Sequence, residues 1–190
     1  ELSMLHDKMP PFKISEVNKA IFNETGKSSK ELFIKFDEKS IAAASISQVH
    51  KALTYENKNV AVKILRPNIE NAINNDLEFF QWVVKFIQNF DKSIYRFKLL
   101  EIITIFKQIT ADELDLRLEA AAACELAENF EGDKRFFVPN IDWSLTSKRM
   151  LVLEWVEGIK IDDKKTLLEK NYNIKEITSA ASEAFFLQVF

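Results

Sequence analysis

The chain has 190 residues, of which 47% are hydrophobic, 12% aromatic and 29% charged, enough apolar material for one sizeable core or two small ones. Its 26 Lys and Arg against 29 Asp and Glu leave a net charge of -3, which excludes the basic excess of a nucleic-acid binder. Three scattered glycines, Gly26, Gly132 and Gly158, cannot write either glycine-rich phosphate-binding motif, so any phosphate loop must use other small residues.

The lone Cys124 permits no intramolecular disulfide, and with His6 and His50 it makes no zinc set, so no metal site is expected. The most apolar run, Phe97 to Ile109, is broken by Lys98, Glu101 and Lys107 and falls short of the ~18 residues of a membrane span. The first residue is not Met and an apolar helical pattern runs out at Phe190, which reads as a chain cut at both ends.

Ile14, Val17, Ile21 and Phe22 recur at helical spacing, with Gly26 as the C-cap. A helical turn over 28–33 follows. Segments 34–36, 46–50 and 59–65 read as strands, the last two joined by a polar turn at 55–58. Pro67 sits as an N1 proline before an amphipathic helix of about twenty residues. One of its faces carries Ile73, Leu77 and Val84; Phe79, Trp82, Val83 and Phe86 make a second apolar face, suited to burial on two sides or to docking.

Helical pattern resumes over 97–130, divided near residue 111 by the capping-box spacing of Thr110 and Glu113. Segments 136–143 and 150–156 read as two antiparallel strands, and helices near 162–170 and 175–190 follow. The sixteen phenylalanines and three tryptophans read mostly as core, and Cys124 as a small buried hydrophobe. The order predicts an α+β fold, a five-stranded antiparallel sheet with inserted helices over 1–158 and a helical part from 159 to 190.

Lys63 lies in Val60-Ala61-Val62-Lys63, close to the kinase strand whose lysine meets the α- and β-phosphates, although the tetrapeptide alone also reads as a solvent-facing lysine on an alternating strand. Upstream, where a kinase has its glycine-rich loop, stand Ile41, Ala42, Ala43, Ala44 and Ser45. Alanine lets backbone N–H groups approach a phosphate but disfavours the positive φ that glycine permits, giving a stiffer loop; tight packing or a short helical turn is the plainer reading.

Ala42 to Ala52 followed by Val60-Ala61-Val62-Lys63-x-x-Arg66-Pro67 resembles the UbiB/ADCK family of atypical protein-kinase-like proteins, in which an alanine-rich loop replaces the glycine-rich one. Glu1 to Phe12, Glu113 to Ala121 and Leu151 to Gly158 resemble that family's segment after its Lys-x-Gly-Gln helix, its Glu-x-Asp helix and its hinge strand. The resemblance implies a kinase-like small lobe with the hinge and first helices of the large lobe. It implies Lys63 as the nucleotide-contacting lysine, Glu119 as its partner, Glu113 and Asp115 as the Glu-x-Asp pair, residues 41–45 as the phosphate loop, and the backbone of Glu154 and Val156 as the adenine contact. Residues 115 and 119 stand four apart, so one helix face can turn both toward Lys63; Glu113 also reads as a capping residue or a partner of Arg117. His50 is expected to hydrogen-bond structurally.

The cofactors so implied are ATP and Mg2+, with metal ligands, catalytic loop and Asp-Phe-Gly element beyond residue 190, so that this piece alone does not turn over. The implied role is support of ubiquinone biosynthesis at the cytoplasmic side of a membrane, the bacterial inner membrane, with lipid-like quinone precursors or quinone-biosynthesis proteins as partners. The alternative is a non-catalytic kinase-shaped scaffold that uses the helix Ile69 to Phe90 to bind a partner. A conventional protein kinase fits less well, because the glycine loop is missing.

Overall fold

The computed structural model describes residues 10–189. Residues 1–9, with His6 and most of the Glu1 to Phe12 motif, and Phe190 lie outside the described residues. The chain divides into two compact units, the first running through Asn129 together with Val138–Trp155, the second comprising Phe130–Phe137 and Val156 onward.

In the first unit α1 (Ile14–Thr25) ends at Gly26, whose φ of 69° is the left-handed conformation glycine adopts without a Cβ penalty. A short α2 (Ser29–Leu32) leads into β1 (Phe33–Phe36), β2 (Ala42–Ala43), β3 (Ser47–Thr54) and β4 (Asn59–Leu65). With β5 (Met150–Glu154) these form one antiparallel sheet in the order β1-β3-β4-β5, β2 sharing with β1 the other edge of β3. Side chains alternate across a strand, so Val60, Val62 and Ile64 bury against Val17 and Ile21 of α1. Ala61, Lys63 and Leu65 turn to the opposite face, where Leu65 and Leu151 pack with Leu114, Leu116 and Ala120.

Between β4 and β5 the chain runs through α3 (Ile69–Phe90), a 3-10 turn (Lys92–Phe97), α4 (Leu99–Glu113) and α5 (Leu116–Asn129). The second unit contains α6 (Lys164–Glu169) and α7 (Ile174–Val189). There Arg135 ties Asp133 to Glu183, each at 2.6 Å. Among the described residues no helix is long and apolar enough to cross a membrane.

Four expectations need correction. Segment 136–143 is not a strand: only the bridge Ile141 to Leu153 survives, because Pro139 has no N–H to donate and Asp142 turns the chain by accepting from the Ser144 N–H at 3.1 Å. The fifth strand is instead β2, made from the alanine segment. Pro67 is not at N1: Asn68, at φ 57°, is the N-cap and the proline belongs to the turn before it.

The break in the 97–130 helical region falls at Leu114 and Asp115, not near 111. The Thr110 hydroxyl donates back to the Phe106 carbonyl at 2.8 Å instead of capping a new helix. Finally, the aromatic residues are not mostly core. Phe33 and Phe130 are buried, whereas Phe79, Trp82, Phe86 and Phe90 are among many that face solvent. Cys124 is half-buried.

Candidate functional site

Lys63 sits mid-strand in β4, opposite Val49 of β3 and Leu151 of β5. Leu116 and Ala120, four residues apart on α5, bury against Leu65 and Leu151 and so lay that helix on the Lys63 face of the sheet. Glu119 follows Leu116 by three positions and stands beside the same seam. Its carboxylate accepts two hydrogen bonds from the Lys63 ammonium, at 2.8 Å to Oε1 and 2.6 Å to Oε2.

The two side chains are 24% and 50% exposed, and an ion pair that open contributes only about 0.2–1 kcal/mol to folding. The pair is therefore better understood as holding an ammonium in place on an accessible face. A lysine ammonium has three donors, so one remains for an incoming anionic oxygen.

The alanine segment lies on the neighbouring edge. Ala42 and Ala43 pair with Val49 and Gln48, Ile41 donates its N–H to the Val49 carbonyl at 2.8 Å, and Ala44 donates to the Ser47 carbonyl at 2.8 Å. The segment is thus a short strand and turn, not a helical turn. Among the described residues positive φ at non-glycine positions occurs at Asn57, Asn68, Lys98 and Asn171; residues 41–45 need none, so alanine suffices where a kinase-like loop uses glycine.

Arg66 fixes this loop. Its Nε and Nη2 donate to the Ala44 carbonyl at 3.1 and 2.9 Å, Nη2 also reaches the Pro10 carbonyl at 3.1 Å, and the guanidinium lies 5.6 Å from the centre of the Phe12 ring. Its own N–H donates to the Ile46 carbonyl at 2.8 Å. Sequence reasoning gave Arg66 no role; the available signal was a cation just past the end of a buried strand, able to reach the loop entering that sheet.

A buried polar chain backs the loop. Gln48 Oε1 accepts from the Phe12 N–H at 3.0 Å, its amide Nε2 donates to His50 Nε2 at 2.8 Å, and His50 Nδ1–H donates to the Asp37 carbonyl at 2.8 Å. His50 is fully buried and stacks on Phe36 at 5.0 Å; burial holds its proton affinity below the ordinary histidine value, an effect its bond to Asp37 only partly offsets.

The Glu-x-Asp pair is arranged differently from the spacing argument. Asp115 precedes α5 and caps it, accepting the Arg117 N–H at 3.1 Å, while the Arg117 guanidinium grips both its oxygens at 2.9 and 2.6 Å. That hydrogen-bonded fork lowers the Asp115 pKa. Its carboxylate is therefore engaged by Arg117 while Glu119 alone meets Lys63. Glu113 ends α4 with its side chain exposed.

At the far edge of the sheet the Glu154 N–H donates to the Asn140 carbonyl at 2.8 Å. The N–H and C=O of one antiparallel strand residue point the same way, so the Glu154 carbonyl also faces outward from β5, while its carboxylate accepts from the Asn140 side chain at 2.7 Å. A cleft of about 830 Å³ opens beside Asn59, Asn140, Glu154 and Trp155. Val156, an exposed residue, belongs to the second unit. Lys63, its carboxylate clamp and the small-residue loop fit the phosphates of a nucleotide; among the described residues no three His, Cys, Asp or Glu side chains gather as a metal site.

The family model described as the ABC1 atypical kinase-like domain matches residues 4–190. Proteins named probable protein kinase UbiB from Pseudomonas paraeruginosa and Pseudomonas aeruginosa are 33% identical over all 190 residues, and that of Pseudomonas entomophila is 34% identical. The chain spans about a third of the length of these curated relatives, 36% in the first two cases. Among solved structures, that of the Rv3197–erythromycin complex from Mycobacterium tuberculosis superposes with a TM-score of 0.65 at 29% identity, over 81% of this chain and 38% of that one.

Proposed function

Because this chain belongs to the ABC1 atypical kinase-like family, we propose that it is the nucleotide-binding part of a UbiB-like atypical kinase or ATPase that supports ubiquinone biosynthesis. Residues 1–158 form the small lobe and residues from 159 begin the large lobe. The observation that carries the reading is the bidentate clamp of Glu119 on the Lys63 ammonium, at 2.8 and 2.6 Å, on the sheet face next to an alanine loop.

In this reading Lys63 contacts the α- and β-phosphates of ATP, and Glu119 keeps the ammonium from collapsing onto the sheet. Those backbone N–H groups of residues 41–45 that do not donate to β3 approach the phosphates, with Arg66 fixing the loop through the Ala44 carbonyl. The outward carbonyl of Glu154 takes the adenine edge. Glu113 and Asp115 line the active-site side of α5's start, Asp115 kept anionic by Arg117.

Magnesium, when bound, would neutralise charge developing between the phosphates. The whole protein works at the cytoplasmic face of a membrane, the bacterial inner membrane, on lipid-like quinone precursors or with proteins of the quinone pathway.

A non-catalytic scaffold is favoured by one observation, the solvent-facing aromatic side of α3. The two readings separate in a host strain lacking this protein and complemented with the full-length wild type or Lys63→Ala. Ubiquinone restored by the wild type and not by the variant supports nucleotide-dependent action; equal restoration by both sinks it in favour of the scaffold.

A further inference from the structure

Gln48 pairs with Ala43 in the ladder that builds the alanine loop. It is also the cross-strand partner of Ile64, so its side chain, 1% exposed, turns to the α1 face, away from Lys63. There it holds residue 12: Oε1 accepts from the Phe12 N–H at 3.0 Å, and Nε2 lies 3.4 Å from the Phe12 carbonyl. Two residues earlier, Arg66 ties the Pro10 carbonyl to that of Ala44. Residues 10–12 are thus pinned to the loop at two points.

Counting donors fixes the state of His50. Its Nδ1 faces the Asp37 carbonyl and must carry a hydrogen; its Nε2 faces the Gln48 NH2 at 2.8 Å and must accept, so the ring is neutral. The Gln48 amide keeps this orientation because Oε1 is committed to the Phe12 N–H.

We propose that Gln48 and His50 form a proton-sensitive latch that keeps residues 10–12 on the alanine loop, and that protonation of His50 opens it. A proton taken from solvent onto the Nε2 lone pair makes both ring nitrogens donors, so Nε2–H and the Gln48 NH2 oppose each other across 2.8 Å. Turning the amide over gives Nε2–H an acceptor but sets the NH2 against the Phe12 N–H. Neither arrangement satisfies every donor, and a buried donor left unpaired is costly; moving residue 12 off Gln48 relieves it.

The charges around the ring offer no substitute. Asp37 is the charged residue whose field reaches His50, and its carboxylate is 3.1 Å from Lys35. On this face α1 contributes Val17 and Ile21, while Lys13, Glu16 and Lys19 are exposed and Glu24 accepts from the Ser147 hydroxyl at 2.7 Å. In β4, Val62 stands opposite His50, and the Arg66 guanidinium lies 5.6 Å from the Phe12 ring centre. The consequence for nucleotide binding rests on the reading that residues 41–45 meet the phosphates: an open latch loosens that loop and weakens binding.

The test follows hydrogen exchange of the full-length protein by mass spectrometry as pH is lowered stepwise from neutrality, with rates corrected for the intrinsic pH dependence of exchange. The proposal predicts that peptides covering Phe12 and Ala44 to Ile46 lose protection together, several-fold, in one step below pH 6.5 and before circular dichroism reports unfolding. Gln48→Glu should abolish the step, since a carboxylate accepts from the Phe12 N–H and from Nε2–H at once. His50→Gln should abolish it for want of a titrating ring, and decides the matter if the buried carboxylate prevents folding. Protection kept until the whole protein unfolds overturns the latch, as does a step that persists in folded His50→Gln. Mg-ATP affinity over the same range should fall within the step in the wild type and stay level in His50→Gln; a wild-type affinity constant across the step overturns the link to the phosphate loop. Failure of Mg-ATP to bind at any pH counts against the nucleotide reading alone, and the exchange step still decides the latch.

Discussion

Arg66 joins the alanine loop, the N-terminal segment and the end of β4 through its guanidinium, which donates to the Ala44 and Pro10 carbonyls, and its own amide, which donates to the Ile46 carbonyl. Hydrogen bonds to charged groups contribute about 1.5–3 kcal/mol net, so Arg66→Met should destabilise the fold by about that amount. It should also speed hydrogen exchange at Ala44 and Ile46, measurable by mass spectrometry; exchange unchanged there contradicts the clamp. His50 gives a pH signature. Its folded pKa lies below the ordinary 6.5, so beneath pH 6.5 the unfolded chain takes up a proton first. Stability is then full above that pH and falls as pH drops below it.

A His50→Gln variant should flatten that slope in denaturant melts at pH values on either side of 6.5. Sequence spacing exposed Lys63 because one cation interrupted a strand of small and β-branched residues. It could not show Arg66's contacts, since a side chain's partners across 22 residues depend on the sheet register.

At the scale of elements, α5 decides where Glu119 stands. Ala120 is fully buried between this helix and the sheet, and its small size sets the approach. Ala120→Leu should cost about 1–3 kcal/mol by overpacking and should push Glu119 off Lys63, weakening nucleotide binding beyond the stability loss; a fully stable variant that binds as before contradicts this. The strand pattern of β4 and of the first half of β3 was readable because period two alternates sharply there; β3 runs on to Thr54, past the segment 46–50. The start of α5 was not, because Thr110 with Glu113 imitates a capping box while Asp115 with the Arg117 N–H performs the capping. Likewise β2 hid in an alanine run whose intrinsic preference is helical, overridden by its hydrogen bonds to β3.

Over the whole molecule, the first unit supplies a sheet with two differently used faces. One is closed by α1 around Val62 and Ile64; the other carries Lys63, Glu119 and the loop edge. Family membership follows from the match over 4–190, and the chain spans 36% of the length of relatives such as the Pseudomonas aeruginosa protein. Composition suggested a buried use for the aromatics because helical spacing cannot tell a core face from a docking face. The decisive measurement is the nucleotide-induced thermal shift of the full-length protein, wild type against Lys63→Ala, with Mg-ATP. The account predicts a shift of several degrees for the wild type and none for the variant, whose unliganded melting temperature stays nearly unchanged because the pair is solvent-open; an equal shift in both would contradict it.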